Sequence, residues 1–206
     1  MGEFARHPTR AHAESQFDGI GMSLLAFFEQ LAESPWSVGI HESEIAYSLI
    51  ESIHVWSMCL FFGLAVIFDL RLLGWTMTKV PVSEFSRRLL PWTIAGFVVM
   101  AISGTLLFYA IPVRSYQNIF FRFKMILLLL AGLNVWIFHS RVYSGVATWD
   151  VDQVPPKAAR VAGALSLALW VGVIVTGRMI AYNWFDCDRQ PQADIVNFLT
   201  SCVPTE

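Results

Sequence analysis

EIAYSLIESIHVWSMCLFFGLAVIFDL, from Glu44 to Leu70, decides the architecture. A hydrocarbon core of about 30 Å needs roughly 20 apolar residues in helical form, and this run exceeds that. Its polar intrusions are Glu51, His54 and Asp69.

Three further runs repeat the pattern. Trp92 to Ile111 carries no formal charge, with Pro91 placed at its first turn. Phe121 to His139 begins with Arg122 and Lys124, and Val161 to Trp184 holds one charge, Arg178. No alternating strand pattern competes. The expectation is an all-α integral membrane four-helix bundle. Composition agrees: 55% of the 206 residues are hydrophobic and only 15% charged, with mean hydropathy +0.53. A net charge of −2 carries no basic footprint for nucleic acid. Eight Trp and sixteen Phe suit interfacial anchoring and bulky packing against lipids.

Outside the spans the chain divides simply. Residues 1–21 are polar and lack the apolar core of a signal peptide, so they read as a flexible extension. Residues 22–184 form the membrane domain, and 185–206 a tail. Within SLLAFFEQLA, from Ser23 to Ala32, the apolar residues share a face, which predicts an amphipathic helix at the interface, broken by Pro35 and Trp36. VSEFSRRLL, from Val82 to Leu90, is a short amphipathic piece before the second span.

Lys and Arg set the orientation. Arg71, Lys79, Arg87 and Arg88 flank the first connection, and Arg141, Lys157 and Arg160 the third. That places both connections in the cytoplasm and both termini on the periplasmic side of a bacterial inner membrane. Cys187 and Cys202 then fall in an exported tail, where a disulfide can persist, although spacing alone does not decide the pairing. Cys59, inside the first span, reads as a packing residue.

Ionisable groups within a bilayer cost roughly 2.5–3.5 kcal/mol each on insertion scales, so each needs a partner or a task. Counting about 1.5 Å per residue brings Glu51, His54, Tyr109, Lys124, Arg178 and Tyr182 into one layer of the outer half. One reading is a buried Glu51–Arg178 pair that fixes helix packing. The other is a pocket in which His54 ligates haem iron and cations meet the propionates. His139 lies roughly 15 Å or more deeper than His54, too far to share one iron, and is expected in an inner polar cluster with Asp69 and Arg141. His41, before the first span, stands either as a second ligand folded over the pocket or as a solvated residue.

These motifs carry a resemblance: Glu42-Ser43, ESIH at 51–54, DLRLLG at 69–74, LLPWTIAGF at 89–97, SGTLLF at 103–108, NIFFRFKM at 118–125, FH at 138–139 and GRMIAY at 177–182. In their order and spacing the chain resembles a bacterial family of uncharacterised four-helix membrane proteins of about 200 residues. The resemblance implies a membrane location and the same core, and it places Glu51, His54, Lys124 and Arg178 within recurring motifs. Likeness to b-type cytochromes is architectural only, because paired histidines at matching depth are missing from the sequence.

The function expected is a membrane redox protein binding haem b, with a second metal such as copper as an option. His54 and His41 are the candidate metal ligands. Glu51, Lys124, Arg178 and Tyr182 are the candidate cofactor-binding residues. Electrons would pass between the site and a quinol or an exported electron-transfer protein, an oxidoreductase role, within a homo-oligomer embedded in lipid. The competing expectation is a non-redox small transporter or assembly subunit that uses the Glu51–Arg178 pair.

Overall fold

In the computed structural model, residues 24–182, 187 and 192–202 are described. They form helices and connecting turns, with no strand among them. Residues 24–32 are helical (α1), followed by α2 (Pro35–Glu42), α3 (Glu44–Leu73), α4 (Val82–Ala110), α5 (Pro112–Tyr116) and α6 (Ile119–Ile137). A π turn, Phe138–Val142, and a 3-10 segment, Tyr143–Thr148, extend α6. Helices α7 (Lys157–Tyr182) and α8 (Asp194–Thr200) complete the described chain. Among the described residues, four helical stretches are long and apolar enough to cross a membrane: Glu44–Leu73, Val82–Ala110, Ile119–Thr148 and Lys157–Tyr182. The molecule is an integral membrane four-helix bundle.

Local chemistry sets the ends. Ser43 caps α3 by accepting from Ala46 N at 3.2 Å. At the other end Gly74 takes φ 77°, and its N–H bonds Arg71 O, which stops the helix where a side chain would be strained. Asn118 Oδ1 caps α6 through Phe120 N and Phe121 N.

Two boundaries differ from the sequence reading. The amphipathic piece before the second span is continuous with it, so Pro91 lies inside α4 and not at its first turn. Asp150 starts the helix instead, accepting from Ser83 N and Ser83 Oγ, both at 2.7 Å. Pro35 does not simply break the N-terminal helix. It sits in the first turn of α2, where its missing N–H costs nothing.

The bundle is ordered α4–α3–α7–α6 by helix contact, and the Phe108–Phe121 ring stack at 5.4 Å joins α4 to α6. Phe61, Ala131, Leu169, Trp170 and Val173 form its central core. A second cluster, with Leu72, Val82, Phe138, Trp149 and Ala159, lies at the end carrying the first and third connections. There Arg71 is fully buried (0% exposed), donating from Nε to Val80 O and from Nη2 to Asp152 O. It ties the two connections together instead of acting as a free loop charge. The close seams are glycine seams: a Cβ at Gly96 would lie 3.2 Å from Phe61 N, and one at Gly163 3.1 Å from Asp69 O.

Candidate functional site

His54 is half-buried on α3 and leans on α4. Its Nδ1 lies 3.0 Å from Met100 O and 3.1 Å from Ser103 Oγ. A carbonyl only accepts, so Nδ1 carries the proton and donates it, and Nε2 of the neutral ring is left with a bare lone pair. The Ser103 hydroxyl is committed elsewhere, donating to Val99 O at 2.7 Å. Gly104 makes room for the ring: a Cβ there would stand 2.9 Å from His54 Cε1. No protein group bonds Nε2 among the described residues.

The level of this ring within the bundle follows from register. Asp69 on α3 touches Gly163 on the antiparallel α7. Fifteen residues along each helix, about 22 Å, are His54 and Arg178. Lys124 on α6 reaches the same level, since a Cβ at Gly177 would lie 3.6 Å from its Nζ. Lys124 makes no hydrogen bond or ion pair among the described residues. An imidazole lone pair and an ammonium group, each without a hydrogen-bonding partner among the described residues, thus occupy one layer of the bundle.

The other sequence candidates are placed differently. Glu51 and Arg178 are both exposed and make no ion pair among the described residues, so the structure does not show the buried packing pair expected between them. Glu51 instead edges a depression of about 280 Å³ with Ser52, Val55 and Trp56. The Arg178 guanidinium lies over the Tyr182 ring, 5.4 Å from its centroid. The Tyr109 hydroxyl bonds Ser34 Oγ at 2.9 Å, which anchors α2 to the end of α4. His139 is exposed and bonds back to Val135 O at 2.9 Å, so it does not join Asp69. Asp69 is buried against α7, with Oδ2 lacking a hydrogen-bond partner.

His41 is an exposed residue of α2 and lines a groove of about 410 Å³ with Glu42, Arg114 and an apolar wall from the α4–α5 corner. No cluster of three His, Cys, Asp or Glu side chains suited to a metal ion occurs among the described residues. Sequence reasoning missed the seat of His54. Ser103 and Gly104 stood in a quoted motif, and small residues at that depth of an otherwise bulky span were the available signal.

The tail closes the same end of the bundle. Cys187 and Cys202 are disulfide-bonded with Cα atoms 5.3 Å apart. Arg122 at the start of α6 reaches Ser201 Oγ at 3.4 Å and lies over the Tyr116 ring.

Among protein-family models, one described as a family of unknown function (DUF6644) matches residues 28–183. No curated protein and no solved structure matches the chain. With that family match over most of its length, the chain belongs to DUF6644.

Proposed function

We propose that this member of DUF6644 is a redox protein of a bacterial inner membrane that holds haem b in the outer half of its bundle. The observation that carries the reading is the pair of unpartnered groups, His54 Nε2 and Lys124 Nζ, in one layer within the spans. A lone pair and a cation left together in a low-dielectric site favour a ligand with a metal centre and an anionic edge.

The residues suit haem better than a bare ion. Zinc and copper sites draw three or four ligands from the protein, and no such set occurs among the described residues. A porphyrin brings four nitrogens of its own and asks one or two of the protein. His54 supplies one, with its tautomer fixed by Met100 O as ligating histidines are commonly fixed. His41, set in the separate groove, is not needed for this role. Lys124 and Arg178 supply positive charge for propionates, and Glu51, one turn outward from His54, balances it. Tyr182 orients Arg178 through the ring contact. Bound haem would supply one-electron chemistry; the protein holds it, orients it and screens it from water.

The outward placement is supported by the Lys and Arg of the first and third connections and by the disulfide in the tail. Full-length protein purified from haem-replete cells should show a Soret band and a pyridine haemochrome of b type. His54→Ala should abolish both, and Lys124→Leu should weaken haem retention. Colourless wild-type protein, or an unchanged spectrum in His54→Ala, ends the proposal.

A further inference from the structure

We infer that the groove between α2 and the α4–α5 corner is a binding site for a neutral hydroxylated ring of the hydroquinone class, drawn from the bilayer. The proposal rests on the redox reading only for its choice of a redox-active headgroup; the site itself stands on the groove.

The groove is an open depression of about 410 Å³, and small-molecule sites pair an apolar lining with a few convergent polar groups. Here Val38, Ile111 and Pro112 provide apolar wall, while His41, Glu42 and Arg114 bring an imidazole, a carboxylate and a guanidinium to the rim. All three polar side chains are exposed and make no hydrogen bond or ion pair among the described residues. Ser37, the remaining polar residue of the lining, is already committed to Tyr109 O at 2.8 Å.

The mixed charge selects the ligand. A phosphate headgroup would gain from Arg114 and His41 but meet Glu42 at the same rim. A neutral diol can accept from Arg114 and donate one hydroxyl to Glu42 and the other to the imidazole, so every rim group finds a partner. The apolar wall takes the ring face. Position fits as well, because the groove sits where α4 ends at Ala110, at the level of a membrane interface.

Glu42, on the rim of the groove, lies two residues before the start of α3 at Glu44. Tyr47, Glu51 and His54 follow one another at spacings of four and three, on one side of α3. The path from Tyr47 to His54 is roughly 10 Å along the helix.

The test is anaerobic equilibrium binding of duroquinol to full-length protein in phosphatidylcholine nanodiscs. Arg114→Ala and His41→Phe, both exposed positions that leave packing intact, should each weaken binding at least tenfold. Val113→Trp, which fills the groove, should abolish it. His54→Ala should remove the Soret band while leaving duroquinol binding unchanged, so the two readings fail separately. Wild-type affinity in all three groove variants overturns the inference. So does displacement of duroquinol by phosphatidylglycerol in an Arg114-dependent way, which would mark the groove as an anionic-lipid site.

Discussion

Gly104 and Gly132 both lie within spans, yet only Gly104 touches a neighbour. An added Cβ at Gly104 would stand 2.9 Å from His54 Cε1, closer than real Cβ contacts come, whereas Gly132 has nothing within 4 Å. Gly104→Ala must therefore push the imidazole off Met100 O, a strain of about 1–3 kcal/mol, and should cut haem retention severalfold, read as Soret absorbance per protein. Gly132→Ala should leave the spectrum alone and change stability by no more than about 1 kcal/mol. Equal effects of the two substitutions would count against the seat described for His54. At this scale the sequence was half legible. His54 stood out because an ionisable group in an apolar run needs a reason. Gly104 did not, because its role exists only once the register between α3 and α4 is known.

Helices were easier to read than their ends. Four spans follow from hydropathy and length, since backbone groups in lipid must be satisfied within the segment. The start of α4 follows from a distant residue: Asp150 accepts from Ser83, more than sixty positions away in sequence. No local signal near Val82 announces that cap, so the hydropathy reading starts the helix at Trp92, ten residues late. Arg71 shows the same limit. Its charge reads as a loop cation in the sequence, yet the guanidinium is buried and joins Val80 O to Asp152 O across two connections. Arg71→Met should leave both carbonyls unpartnered and lower stability by about 2–4 kcal/mol, seen as a fall in Tm by scanning fluorimetry in detergent. Arg71→Lys should not restore it, because one ammonium group lacks the planar fork that spans two acceptors. A Lys variant with wild-type Tm would show that charge alone suffices there.

Over the whole molecule the two ends of the bundle are chemically unlike. One end gathers Lys79, Arg87, Arg88, Arg141, Lys157 and Arg160, with Arg87 and Arg88 both paired to Glu84. The other end carries the disulfide-closed tail against Arg122. Positive connections stay inside and disulfides persist outside, so both asymmetries favour the same orientation. Thiol labelling separates it from the inverted one. After treatment of intact spheroplasts with an impermeant reductant, a charged maleimide should label Cys187 and Cys202. Lys79→Cys, on the first connection, should label only after permeabilisation. Cys59 is exposed on the protein surface yet lies mid-span, where lipid should shield it from a charged reagent under both conditions. Labelling of Lys79→Cys in intact spheroplasts, with the tail cysteines silent, would invert the molecule. The layer holding His54 and Lys124 would then sit in the cytoplasmic half, and any donor reaching the groove beside it would have to arrive from that side.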